Sequence, residues 1–84
     1  MDEVRKIADE YGIDDINLIK PGIGETTRVL LRRVPWKVLV CEKYKDDREL
    51  AHIIRLAKEK GVPVEYHDLV HYKTCGIIKK LADA

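Results

Sequence analysis

The sequence has no apolar run long enough to cross a membrane, and it contains only two cysteines and no phenylalanine. A membrane-spanning helix needs about 20 consecutive apolar residues. The first residues, Met-Asp-Glu-Val-Arg-Lys, also lack the apolar core of a secretory signal peptide. We therefore expect a cytoplasmic protein with no membrane partner.

Patterns that indicate catalysis or metal binding are also scarce. Cys41 and Cys75 lie far apart, without the paired spacing of a zinc site, and are interpreted as two buried free thiols. His67 and His71 are four residues apart, and Asp68 or Glu65 could serve as a third ligand, but no third ligand is obvious and a surface loop is favoured over a metal site. Cys75 and His71 have the spacing of a nucleophile and its base, but no orienting acid or oxyanion site accompanies them, so a packed thiol is favoured. We therefore expect no enzymatic activity, no metal and no cofactor.

Charge is abundant, and it is unevenly distributed. The chain has 84 residues, of which 37% are charged and 45% hydrophobic, as expected of one globular domain over residues 1–84. Residues 1–19 carry two basic and six acidic groups, whereas residues 20–45 carry seven basic and two acidic groups. A local basic patch attracts phosphate even though the net charge is only +1. The alternative is that these charges simply solvate a helix face.

The basic segment contains a glycine-punctuated turn at residues 22–28, Gly-Ile-Gly-Glu-Thr-Thr-Arg. It opens a predicted helix from about Gly24 to Arg33, whose free N–H groups favour anions. The apolar stripe expected to face inward is Thr27, Leu30, Leu31 and Val34. The turn lacks the Gly-Lys-Ser/Thr of a P-loop, so binding of a nucleotide phosphate is a minor option. A further alternative is that the turn simply connects two elements and binds no ligand.

Apolar periodicity predicts the element order α-β-α-β-α-β-α. Four helices are predicted. The first ends at Gly12, the second spans about 24–33, the third begins at Asp46 or Asp47, and the fourth runs from Thr74 to about Ala82. The predicted strands are Ile16 to Ile19, Trp36 to Cys41 and the alternating residues Val62, Val64 and Tyr66. Strands that alternate with helices favour parallel pairing through right-handed crossovers. The expected fold is a small three-layer α/β/α sandwich with a mainly parallel central sheet.

Residues 22–32 and 36–41 resemble the RNA-binding region of the kink-turn-binding ribosomal proteins, which include the archaeal "seven-Ae" and eukaryotic "thirty-e" proteins. Leu-Ala-Lys-Glu-Lys-Gly-Val-Pro-Val at 56–64 and Thr-Cys-Gly-Ile at 74–77 resemble later segments of the same family. The four segments are in register over residues 19–77. The resemblance implies binding of structured RNA, either ribosomal or small guide RNA, with ribonucleoprotein proteins as further partners.

The resemblance also implies a role for each residue of the turn and helix. Gly22 and Gly24 would let the backbone approach RNA, and Glu25 would accept a hydrogen bond from a guanine edge. Arg28 stands where the family has Lys, and Gly24 stands where it has Asn, so altered specificity is expected. Arg32, Arg33 and Lys37 would bind the flanking phosphates. The complete predicted RNA-binding set is Gly22, Gly24, Glu25, Thr26, Arg28, Arg32, Arg33 and Lys37.

Two other functions remain open at this point. Residues 38–66 are also similar to the N-terminal RNA-recognition domain of SpoU-type 2′-O-ribose methyltransferases, which would make this a stand-alone recognition domain. The rival from another class is a protein-interaction module that has the same fold but has lost its RNA surface. A salt-insensitive protein partner without RNA affinity would favour that module.

Overall fold

The computed structural model describes residues 2–79, which form helices on both faces of a single sheet. The elements are α1 (Asp2–Tyr11), β1 (Ile19–Pro21), α2 (Ile23–Arg32), β2 (Lys37–Cys41), α3 (Arg48–Glu59), β3 (Val64–His67) and β4 (Thr74–Ile77). Short 3₁₀ turns lie at Ile16–Leu18 and Glu42–Tyr44. Among these residues, no helix combines the length and apolar character that a membrane crossing requires.

The sheet is mixed, with strand order β1-β4-β2-β3. Strand β2 pairs with β3 in parallel, which places Val38 opposite Val64. Strand β4 is antiparallel to both of its neighbours, and its Ile77 lies opposite Ile19 of β1 and Lys37 of β2. Strands β1, β2 and β3 therefore run in one direction and β4 in the other.

The predicted mainly parallel sheet and the order α-β-α-β-α-β-α are wrong. Residues 74–77, expected to begin the closing helix 74–82, instead form strand β4 between β1 and β2, and both of its pairings are antiparallel. Residues 80–82 of that predicted helix lie outside the described residues. All four residues of β4 are buried. A strand covered on both faces lacks alternation, and its short apolar run cannot be told from a helix by periodicity.

The helices divide between the two faces of the sheet. Ile7 of α1 belongs to a buried cluster that includes Leu39. Leu30 of α2 and Ile53 of α3 belong to a second cluster, on the other face, that includes Val38. Because successive side chains of a strand point to opposite faces, β2 supplies both clusters.

Local signals for the helix ends are confirmed. Gly12 follows α1 with φ of 68°, and Gly61 follows α3 with φ of 71°, both in the left-handed region that glycine adopts readily. The Asp47 carboxylate caps α3 by accepting from the Glu49 N–H at 2.9 Å. Before β1, the Asp15 carboxylate accepts from the Asn17 N–H and stabilises a 3₁₀ turn. The predicted strand at residues 16–19 therefore starts only at residue 19.

The predicted inward stripe of α2 is confirmed at Leu30 and wrong at Leu31 and Val34. Leu31 and Val34 are 65% and 63% exposed, whereas Thr26, Val29 and Leu30 are buried. A Cβ built on Gly76 would lie 3.6 Å from the Thr26 side chain, an ordinary van der Waals distance, so Thr26 packs against strand β4. Hydrophobicity along the sequence does not reveal this contact.

Candidate RNA-binding surface

The predicted glycine turn connects the end of β1 to the start of α2. Gly22 caps the helix with φ of 98°, a conformation that favours glycine. Its N–H donates to the Thr74 carbonyl at 2.9 Å, and its carbonyl accepts from the Thr26 N–H at 3.0 Å. The turn is therefore tied to β4 and fixes the direction of α2. The N–H groups of the first helical turn have no partners within the helix, and they favour an anion at this end.

Thr26 stabilises this junction from inside the protein. Its side chain is fully buried, and its hydroxyl donates to the Lys20 carbonyl at 3.2 Å. The structure thus places Thr26 beneath the surface on which a ligand would lie, between α2 and the sheet.

A cleft of about 320 Å³ runs along α2 on the side of β1. Its lining is Lys20, Glu25, Arg28, Val29, Arg32, Arg33 and Ile78. The structure therefore brings together Glu25, Arg28, Arg32 and Arg33 of the predicted set. The ten residues of α2 span about 15 Å at the usual helical rise. The cleft thus presents one carboxylate near the glycine turn, Lys20 from β1, and three arginines from the middle of α2 to its C-terminal end.

Glu25 and Arg28 remain accessible within this cleft. Their side chains are 49% and 62% exposed, and the nearest charged atoms are 3.9 Å apart. Exposed pairs at this distance contribute little to stability, so neither group is committed to the other. Gly24 is also exposed, and no atom lies within 4 Å of a Cβ built at this position.

Lys20 is a member of the cleft that the sequence-based set left out. Its charge was counted in the basic segment, but its position on a strand was not used. Ile19 is buried in the cluster beneath α1, so the next side chain must point to the face that carries α2. Strand alternation is the signal that identifies Lys20.

Lys37 lies away from the cleft. Its Nζ is 2.5 Å from Glu65 Oε2 and 4.6 Å from the centre of the Trp36 ring, and its side chain is only 12% exposed. The Tyr11 hydroxyl donates to the other oxygen of Glu65 at 2.6 Å. The hydrogen bonds from Lys37 and Tyr11 hold the pKa of Glu65 below its ordinary value. The Lys37 ammonium therefore joins β2 to β3 and α1.

None of the described histidines and cysteines lines the cleft. His67 Nε2 lies 2.9 Å from Glu10 Oε1, and the His71 N–H donates to Glu3 at 2.8 Å. Across residues 2–79, no three His, Cys, Asp or Glu side chains are grouped as metal ligands would be. Cys41 and Cys75 are buried and free, as predicted, and burial raises the pKa of the Cys75 thiol to about 12.

A glycine turn, an exposed carboxylate and a row of cations beside a small mixed sheet suit the binding of nucleic acid. The chain belongs to the Pelota RNA-binding domain family, because the model described as "PELOTA RNA binding domain" matches residues 1–80. It is an RNA-binding domain, and RNA is its partner. This confirms the coarser part of the sequence-based prediction.

The chain is also similar to a protein named "Cysteine protease StiP" from Acinetobacter baylyi. The two are 42% identical over 79 residues, which is 93% of this chain and 20% of the relative. The chain thus spans about a fifth of that relative's length. This name contradicts the expectation of no enzymatic activity, because a sequence similar to this chain occurs in a protein named as a protease.

Proposed function

We propose that the protein binds structured non-coding RNA of the kink-turn type through the cleft between β1 and α2. In this mechanism, Glu25 accepts a hydrogen bond from a guanine edge, while Arg28, Arg32 and Arg33 hold flanking phosphates. The observation that carries the proposal is the placement of one exposed carboxylate among four cations on one side of α2.

The position of Glu25 fits a base-reading role. A carboxylate is normally repelled by RNA, so it contributes only where cations neutralise its surroundings and where base N–H groups can reach it. Arg28 supplies that neutralisation at 3.9 Å, and the free N–H groups of the first turn add to it. Base reading at Glu25 would provide specificity, whereas the arginines would provide affinity that depends on salt.

A binding titration against a kink-turn RNA and a matched straight duplex, at several salt concentrations, tests this assignment. We expect tighter binding to the kink-turn. Arg33→Ala should weaken binding to both RNAs and reduce the salt slope by about one, as for a single phosphate contact. Glu25→Ala should mainly reduce the preference between the two RNAs.

Other outcomes of this titration have distinct meanings. Equal, salt-sensitive binding to both RNAs would replace kink-turn recognition by a general RNA-binding patch. An equal loss on both RNAs in the Glu25→Ala variant would refute base reading by the carboxylate.

The name of the relative favours a second proposal: this domain supplies RNA binding to a protein or assembly with cysteine protease activity, whose nucleophile lies outside residues 2–79. Cys41 and Cys75 are buried in the described fold, and a thiol with a pKa of about 12 is almost entirely protonated at neutral pH. We expect both thiols to resist iodoacetamide in the folded chain and to react fully in denaturant, as measured by mass spectrometry. Rapid alkylation of either thiol in the folded protein would place a reactive cysteine in this domain.

A further inference from the structure

The exposed face of α3 carries two arginines that remain available to a ligand. Arg48 and Arg55 are both exposed, and in the described part of the chain neither guanidinium forms an ion pair. Their seven-residue spacing puts them about 10 Å apart along the helix, on the same side. The acids on either side of Arg48 are already paired, because Lys73 Nζ lies 2.9 Å from Asp47 and 2.7 Å from Glu49.

Helices α2 and α3 lie parallel and level on one face of the sheet. Each follows one of two strands that run in the same direction, β1 and β2, and both helices pack on the same buried cluster. Thr27 Oγ1 of α2 lies 2.9 Å from His52 Nε2 of α3. Each of these residues is four positions after the start of its helix, at Ile23 and Arg48. The two helices therefore begin at the same end of the sheet, where the glycine turn lies.

Helical spacing places the arginines of α3 beside those of α2. His52 faces α2, and Arg48 and Arg55 lie one turn before it and one turn after it on the same stripe. Arg28 and Arg32 form a second row, one turn apart on α2. Packed helices lie about 8–10 Å apart, so the two rows of cations run side by side along one face of the protein.

The surface between the two rows favours a double-stranded ligand. It carries Thr27, Leu31 and His52, so no acid repels phosphates there. Neither helix contains phenylalanine, tyrosine or tryptophan, on which proteins that bind single strands usually stack bases. A duplex presents phosphates on two strands, which two parallel rows of cations can follow, and it is recognised mainly by its shape and backbone.

We infer that α3 binds the backbone of a duplex arm that flanks the RNA element in the cleft. This inference rests on the function proposed above: the cleft positions the RNA, and Arg48 and Arg55 hold phosphates of the arm. The surface is separate from the cleft, whose lining contains no residue of α3. Glu59 lies one turn beyond Arg55, so the contact ends near the C-terminal end of α3.

Anisotropy titrations compare a kink-turn RNA with short arms and the same RNA with either arm lengthened by a full helical turn. Lengthening one arm should raise the affinity of the wild-type chain by at least about tenfold, since it adds two phosphate contacts. Arg48→Glu/Arg55→Glu should abolish this gain and lower the salt slope for the long-armed RNA by about two. Its affinity for the short-armed RNA should stay within a few-fold of the wild type, because the cleft is unchanged.

Two further variants separate a local contact from general attraction to a longer RNA. Arg5→Glu/Lys6→Glu changes the net charge equally on the opposite face of the sheet and should keep the gain. Arg48→Lys/Arg55→Lys should also keep it, since a phosphate contact needs the charge and not the guanidinium geometry. Thermal melts should show that all three variants are folded.

The possible results distinguish this inference from the proposed function. A wild-type chain that gains nothing from either longer arm, a gain that survives Arg48→Glu/Arg55→Glu, or an equal loss in the α1 variant would overturn the role of α3 and leave the cleft as the RNA-binding site. Failure of the wild-type chain to bind the short-armed RNA would refute the proposed function, and the role of α3 would fall with it.

Discussion

Reversing two charges in the cleft is expected to remove most of the RNA affinity. The double variant Arg28→Glu/Arg32→Glu should bind at least about 100-fold more weakly near physiological salt, because two phosphate contacts are lost and two repulsive charges are added. Both side chains lie one helical turn apart on the flank of α2, in the same cleft as Lys20. Fluorescence anisotropy titrations with a labelled kink-turn RNA measure the loss, and the salt slope should fall by about two.

A control with the same change in net charge separates a local contact from a general attraction. Arg5 and Lys6 are exposed on α1, on the opposite face of the sheet from α2. Arg5→Glu/Lys6→Glu should therefore retain binding within a few-fold of the wild type, and thermal melts should show that both double variants are folded. If the α1 variant loses as much affinity as the α2 variant, the cleft is not the RNA-binding surface.

Features determined by neighbouring residues were predictable from the sequence. Gly22 predicted the turn because its backbone conformation is one that side chains rarely adopt. Asp47 predicted the start of α3 because its carboxylate satisfies a free N–H group two residues away. The position of β4 was not predictable in this way, since its pairing with β1 and β2 joins residues that are far apart in the chain. Its sequence, Thr-Cys-Gly-Ile, does not by itself distinguish a central strand from a helix.

The candidate site shows the same division. Counting basic residues pointed to residues 20–45 but could not assign the members of that segment to a face of the sheet. Lys20 lies in the cleft, whereas Lys37 pairs with Glu65 beneath α1. Thr26 carries a polar side chain, yet it is buried against β4, where its hydroxyl donates to the Lys20 carbonyl. Which side chains face the cleft depends on how α2 is rotated against the sheet, and that rotation is set by tertiary contacts.

Introducing an amide at position 24 is expected to strengthen the proposed preference for a kink-turn. In the resembling ribosomal family, Asn at this position reads a guanine, and one good base contact contributes about 1–3 kcal/mol of discrimination. Gly24→Asn should therefore raise the preference for a kink-turn over a straight duplex by roughly 5- to 150-fold. The structure accommodates the change, since no atom lies within 4 Å of a Cβ at this exposed position. The titrations against a kink-turn RNA and a matched straight duplex, described for the wild-type chain, measure this preference.

Gly24→Ala is the control that separates the base contact of the Asn amide from the change in helix stability caused by replacing glycine. Alanine also replaces glycine inside α2 and should stabilise the helix by about 1 kcal/mol, but it offers no group to a base. The alanine variant should melt at a higher temperature while keeping the wild-type preference between RNAs. A gain in preference from alanine equal to that from asparagine would mean that helix order, and not base reading, limits recognition. No gain from asparagine would mean that position 24 does not face the guanine in this protein, and the base-reading role of the adjacent Glu25 would then lose its support.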